Sequence, residues 1–339
     1  MEEYILASPR KAWYPTLMIS SDLMPFWLTL GRPLTRLLFA MCIGLLIANI
    51  VEALRWTQPL ARLSAPLVRL ARLREAAGAS FSMAFFSPAA ANALLSDSHA
   101  KGEINLRELV LANLFNSLPA YMVHLPTMLF MLWPVLGAPA LIYTGLTLAA
   151  AALRTLFTVG LGHFLLPPLH GENCIECRLP QEKVTLKSAA LKAWKRFRRR
   201  LPKLVMFTIP VYVAMYLMQH YGLFRTAEAW LSDHTPWLGF IRPEALGIVL
   251  LSLAAEIGAS LSAAGSALHM GGLTPPEVII ALLVGNILST PMRTVRHQFP
   301  AYAGYYSPGL AFKLIFYNQL LRTITMIGVT WAYWLCAIA

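Results

Sequence analysis

The sequence predicts an all-α, polytopic transmembrane protein built from two inverted repeats with broken or re-entrant helices. Three observations predict it: a composition too apolar for a water-exposed fold, several apolar runs near the thickness of a bilayer, and short motifs that recur in the same order at offsets of 168 to 174 residues. Of 339 residues, 57% are apolar and 13% charged, and mean hydropathy is +0.57. A soluble domain holds about 45–50% apolar and about 25% charged residues. A soluble globular enzyme is thereby excluded, and the apolar content excludes disorder.

The elements follow in chain order. Residues 1–33 read as an interfacial segment, because Glu2 and Glu3 open it and Pro15 and Pro25 break its apolar residues, unlike a secretory signal. Residues 34–168 form the first membrane repeat. Its run 34–54 is long enough to span. Between 55 and 75, Arg55, Arg62, Arg69, Arg72 and Arg74 recur at helical spacing and predict an amphipathic helix on the membrane surface. Residues 76–95 are apolar but rich in small residues, and Phe86-Ser-Pro-Ala89 interrupts them. A polar loop at 96–105 leads to a half-length helix at 106–118, ending at Pro119, then to a second short piece at 120–136. Residues 138–166 are long enough to span with tilt.

Residues 169–203 are a basic linker; ten Lys and Arg between 167 and 203 place it on the cytoplasmic side of an inner membrane. Residues 204–339 form the second repeat: a span at 204–220, an interfacial stretch at 221–243, a small-residue span at 245–270, a short helix at 275–290 closed by Pro291, and a last span at 307–335. The formal charge of +12 would suggest nucleic acid in a soluble protein. Here the bases lie between apolar runs, so the expected partner is the anionic lipid surface and no nucleic acid. No GxxxxGK[ST] sequence occurs, which argues against an NTP-driven pump in this chain.

The repeat rests on three pairs. Ala89-Ala-Ala-Asn-Ala-Leu94 resembles Ala263-Ala-Gly-Ser-Ala-Leu268, Asn116-Ser-Leu-Pro119 resembles Leu288-Ser-Thr-Pro291, and Leu153-Arg-Thr-Leu-Phe-Thr158 resembles Leu321-Arg-Thr-Ile-Thr-Met326. Gly78-Ala-Ser-Phe-Ser82 also matches Gly258-Ala-Ser-Leu-Ser262 at an offset of 180, which leaves the register near residue 80 open. The five arginines of 55–75 face only Arg225 and Arg242, offset by Glu228 and Asp233, in 221–243. Equivalent loops thus read as lying on opposite sides, which follows if the pieces flanking Pro119 and Pro291 dip in and return.

Chemistry-bearing residues fall into three groups. Ser87, Asn92, Asn113, Asn116, Ser262, Ser266, Asn286 and Ser289 are the candidate substrate site, as side-chain amides and hydroxyls on interrupted membrane helices. Their alternative role is helix packing and inter-helix hydrogen bonding. Arg154 and Arg322 sit at equivalent places deep in long spans, each costing roughly 2.5–3.5 kcal/mol at a helix centre. Glu256 is their expected counter-ion, and the reading is an interior clamp, anion binding or control of a coupling ion, a proton or sodium. His170, Cys174 and Cys177, with His163 or Glu172 as a fourth, form half of a metal-site pattern in the linker; incidental thiols are the alternative. His124 and His269 are candidate proton carriers or packing groups.

The span with Ser87-Pro-Ala-Ala-Ala-Asn92, the loop with Gly102 and the Asn-bearing half-helix ending at Pro119 resemble the nucleoside-recognition or Gate domain, with a second copy from Ser262 to Pro291. Such domains occur in spore-maturation membrane proteins and in the membrane part of ferrous-iron transporter B. Phe86-Ser-Pro-Ala89 stands where the iron transporter has Cys-Val-Pro-Ala, and no GTPase domain accompanies it. Inverted repeats with broken helices are the architecture of many secondary transporters, so the expected function is transport of a small polar solute, nucleoside-like or an organic anion, bound at the repeat interface near the midplane; the family name implies nucleosides but does not fix the substrate. A homo-oligomer is possible. A non-transporting membrane scaffold and a metal-ion or lipid transporter are the alternatives, and no catalytic constellation points to an enzyme.

Overall fold

Every described element is helical, as a chain in lipid requires, since a helix satisfies its backbone polar groups within itself. The computed structural model describes residues 27–54, 65–168, 185–221, 242–254 and 257–337. A π-turn, Trp27–Gly31, leads into α1 (Arg32–Ala53). The first half continues with α2 (Ala65–Leu70), α3 (Glu75–Ala84), α4 (Pro88–Ala100), α5 (Leu106–Phe115), α6 (Ser117–Leu136) and α7 (Ala138–Leu165). The second holds α8 (Leu186–His220), α9 (Pro243–Ala254), α10 (Ile257–His269), α11 (Pro275–Leu288), α12 (Thr290–Arg293), a π-turn Thr294–Gln298, α13 (Phe299–Ala303) and α14 (Pro308–Ala337).

Among the described residues three segments are long and apolar enough to cross a membrane: Leu106–Leu136, Ala138–Leu165 and Pro308–Ala337. The expected spans at 34–54 and 204–220 fall on α1 and α8, which are not among those three. The basic run 186–203 is helical and continuous with the apolar residues after it, so that part of the linker is the first half of α8. The expected surface helix at 55–75 is shorter where it is described. α2 ends at Leu70, and Arg72 takes a left-handed φ of 53° while its guanidinium donates to the Leu166 carbonyl. Residues 55–64 and 222–241, which carry most of the loop-charge comparison, lie outside the described residues.

The two halves use the same local devices at nearly constant offset. α4 and α10 both end in a left-handed glycine, Gly102 (φ 75°) and Gly271 (φ 70°). The amide after each glycine reaches back to Ser98 O (2.9 Å) and Ala267 O (3.0 Å), the wide bond of a Schellman close. Asn105 then caps α5 and Thr274 caps α11, each three residues before a glutamate. These pairs lie 169 residues apart, so α3–α5 and α9–α11 match in these devices at that offset and not at 180.

Side chains pack into two apolar cores. One gathers Ala140 and Tyr143 early in α7, Leu132 and Val135 late in α6, much of α9–α11, and Met326 and Val329 of α14. The other gathers Phe81, Leu95, Leu109 and Phe115 of α3–α5, Leu166 after α7, and Ala311 and Leu314 early in α14. α7 and α14 therefore run antiparallel, and α5–α6 and α11–α13 each carry the chain from one core to the other. The expected return at Pro119 is thus an interruption of one crossing: Asn116 keeps helical dihedrals (φ −63°, ψ −6°) and Ala120 N–H bonds Asn116 O at 3.1 Å. The paired short helices are α3 with α4, joined at Phe85–Ser87, and α9 with α10. Ser87 accepts the Ala90 N–H, and Pro88 takes the first helical position, where no N–H is needed.

Small residues set the closest approaches. A Cβ on Gly44 of α1 would fall on the Phe130 carbonyl of α6, which is backbone and unable to swing aside. Gly44→Val is expected to destabilise by about 1–3 kcal/mol or more through overpacking. Gly145→Ala, where the added carbon meets open space, is expected to leave stability unchanged or raise it slightly. Thermal unfolding of the purified variants in detergent checks both.

Candidate functional site

Between the two cores lies a polar layer. Arg154 falls between the parts of α7 that serve the two cores, and Arg322 does the same on α14. Arg154 Nε donates to Ser117 Oγ at 2.8 Å, just past the α5–α6 break. Arg322 Nη2 donates to Asn286 Oδ1 at 2.7 Å. Arg293, two residues after Pro291, donates from Nη2 to Asn286 O (2.7 Å) and Asn286 Oδ1 (2.8 Å). The Asn286 amide in turn donates to Tyr143 OH at 2.9 Å, from the other half of the chain. One asparagine thus holds two guanidiniums and a phenol.

Arg154 is buried, Arg293 and Arg322 are partly buried, and Arg322 lies within electrostatic range of both others. Among the described residues no carboxylate forms an ion pair with any of the three. The expected counter-ion Glu256 lies outside the described residues. Arg293 Nε is buried with no acceptor. Among the described residues these cations are met by neutral groups, which complete hydrogen bonds without cancelling charge.

A second polar group lies inside the α3–α5 core and is neutral. Asn113 Nδ2 donates to Asn92 Oδ1 and to Tyr302 OH, both at 3.1 Å. Tyr306 OH donates to Asn92 O at 3.0 Å. Asn116 Nδ2 donates to Ser80 Oγ at 2.7 Å, and Ser80 Oγ donates to Ala91 O. The Asn113 and Asn116 carbonyl oxygens are buried without a donor. Tyrosines from the second half close this cluster, as Tyr143 from the first half closes the arginine layer.

The eight expected substrate residues therefore do not form one site. Asn92, Asn113 and Asn116 belong to the neutral cluster and Asn286 to the arginine layer. Ser87 is a helix cap. Ser289 donates to Asn286 O at 3.2 Å, Ser262 to Gly258 O in its own helix, and Ser266 to Met270 Sδ. Sequence reasoning missed Arg293, Tyr143, Tyr302 and Tyr306. Arg293 carried a readable signal, lying seven residues, two helical turns, beyond Asn286.

His170, Glu172, Cys174 and Cys177 lie outside the described residues. His163 is described: its Nδ1 lies 3.1 Å from Leu70 O, and Arg72 Nη2 lies 3.4 Å from its Nε2. Both ring nitrogens thus face protein groups. Among the described residues, no three His, Cys, Asp or Glu side chains gather as metal ligands.

A repeated ion pair ties each short-helix pair to the next helix. Arg74 Nε lies 3.4 Å from Glu108 Oε2, and its Nη1 donates to Glu103 O at 2.6 Å. Arg242 Nε lies 3.2 Å from Glu277 Oε1, and its Nη1 donates to Gly272 O at 3.3 Å. Glu108 is only 2% exposed and Glu277 23%. Arg74→Met is expected to destabilise by roughly 1–3 kcal/mol, by leaving a buried carboxylate short of its charged donor. Arg242→Met, at the wetter pair, should cost under about 1 kcal/mol. Melting temperatures of the two variants, compared side by side, check the order.

Comparison with known proteins adds relatives without a described activity. The chain is 26% identical to uncharacterized protein MJ0871 of Methanocaldococcus jannaschii over 283 residues, covering 82% of this chain and 86% of the relative. It is 26% identical to MJ1556 of the same organism over 283 residues, covering 83% and 88%. It is 22% identical to MJ0880 over 306 residues, covering 88% and 94%. No family model matches the chain, and no solved structure matches it.

Proposed function

We propose that the protein is a secondary transporter that binds a small anion at the layer formed by Arg154, Arg293, Arg322 and Asn286. The observation that carries this reading is three guanidiniums between two apolar cores, Arg322 within electrostatic range of both Arg154 and Arg293, with no carboxylate paired to them among the described residues. A phosphate, sulfate or carboxylate supplies the missing charge and accepts from Arg293 Nε, which has no other acceptor.

The two halves are read as inverted repeats. Support comes from the antiparallel run of α7 and α14, the equivalent helices carrying Arg154 and Arg322, and from the placement of α3–α5 and α9–α11 in opposite cores. Exchange of tyrosines between the halves couples each polar cluster to movement of the other half, as alternating access requires. The Gate-like motifs, an inner-membrane location with the basic run cytoplasmic, and coupling to a proton or sodium belong to the same proposal. A second reading, a nucleoside-like solute at Asn113 and Asn116, is favoured by their two buried, donorless carbonyl oxygens.

Binding separates the two. Inorganic phosphate, sulfate, acetate and uridine are titrated against the melting temperature of the purified protein, because a ligand of the folded state raises it. An anion is expected to stabilise the wild type, with affinity falling at least about tenfold in Arg322→Gln and Arg154→Gln, the loss of one charge-assisted bond. Stabilisation by uridine that disappears in Asn116→Ala, with no anion effect, would establish the second reading instead. Uptake of the stabilising solute into proteoliposomes, abolished in Arg322→Gln, is expected of a transporter; binding without uptake would point to a scaffold.

A further inference from the structure

On its outer side the arginine layer is backed by an open groove of about 570 Å³ between α11–α13 and α14. That volume lies within the range of small-molecule sites. Its walls are Leu288, Val295, Phe299, Phe312, Phe316 and Leu320, all exposed side chains, the last three on the membrane-crossing helix α14. In a bilayer such a trough holds hydrocarbon.

Its surface is almost wholly apolar, and polar residues enter only at its inner side. Thr290, Thr294, Gln319 and Thr323 line it. Thr290 Oγ1 donates to Asn286 O at 3.1 Å, the same carbonyl that Arg293 Nη2 engages at 2.7 Å. Gln319 stands one helical turn before Arg322, and Gln319 Oε1 and Arg293 Nε are both buried without a partner. An apolar trough therefore backs onto Thr290, whose hydroxyl shares the Asn286 carbonyl with Arg293.

We propose that the anion of this site is the head of an amphiphile, with a phosphate or carboxylate at the arginine layer and a single hydrocarbon tail in the groove. The inference rests on the anion reading and narrows its substrate class. A free inorganic anion uses only the guanidiniums. An amphiphile uses both surfaces, and the groove gives it a lateral path from the bilayer.

The test is binding in lipid nanodiscs of inorganic phosphate, methyl, butyl, hexyl and octyl phosphate, and n-octanol. Burial of each methylene strengthens binding up to roughly fourfold, so octyl phosphate is expected to bind at least about thirtyfold tighter than methyl phosphate. Leu320→Trp, which fills the groove, should shrink that ratio to about threefold, most of the methylene gain being lost, and leave inorganic phosphate unchanged. Phe316→Ala, which opens the groove without bulk, should weaken octyl phosphate several-fold and not inorganic phosphate. Arg322→Gln should weaken both.

Equal affinity along the series, with inorganic phosphate still bound, would overturn the amphiphile and leave the anion reading standing. Octanol binding as tightly as octyl phosphate, and indifferent to Arg322→Gln, would make the groove a seat for neutral chains and overturn the link to the arginines. Failure of every anion to bind would overturn both.

Discussion

Three guanidiniums in the middle of a membrane protein set the terms for everything around them. A charged arginine at a helix centre is costly, and here two long helices carry one each, with Arg293 added from the segment after Pro291. The protein answers with neutral acceptors placed where helices are broken. Ser117 follows the α5 break, and Asn286 precedes the α11 break. Helix interruption and arginine burial are thus one device: the break positions a polar residue at depth, and the arginine supplies the donors that keep it satisfied. Removing Asn286 would strip acceptors from Arg293 and Arg322 together and orphan Tyr143.

The same economy governs the two ends. Each short-helix pair closes on a left-handed glycine, passes to an N-capped helix, and is tied back by an arginine that bonds a first-turn glutamate and a loop carbonyl. These contacts each lie within one half, while the two apolar cores and the tyrosines reaching across join the halves: Leu132, Val135 and Tyr143 pack with α9–α11, and Phe81 and Phe115 with Ala311 and Leu314.

Much of this was legible in the sequence, for reasons tied to particular residues. Arg154 and Arg322 stood out because charge is rare in apolar spans. Asn113, Asn116 and Asn286 stood out because amides beside prolines have few roles in lipid. The break at Phe86-Ser-Pro-Ala89 was read correctly as an interruption. The direction of the chain at Pro119 was not, because a proline in the first turn of a helix stops nothing and reads the same in sequence as one that ends a span. The register near residue 80 was obscured by Ala/Ser-rich words that match at several offsets. The informative markers were single residues, Arg74 with Arg242 and Glu108 with Glu277, whose pairing only appears in three dimensions. The tyrosines were missed because an aromatic at a helix end reads as apolar filling.

The central claim is that equivalent elements of the two halves face opposite sides of the membrane around the arginine layer. Lys101 and Met270 occupy the same position in the two Schellman closes, 169 residues apart. Each is replaced singly by cysteine in a background lacking Cys42, Cys174, Cys177 and Cys336, and intact cells are treated with a membrane-impermeant maleimide. Labelling of one position from outside and of the other only after the membrane is opened is the predicted result. Labelling of both from the same side would contradict the inverted arrangement.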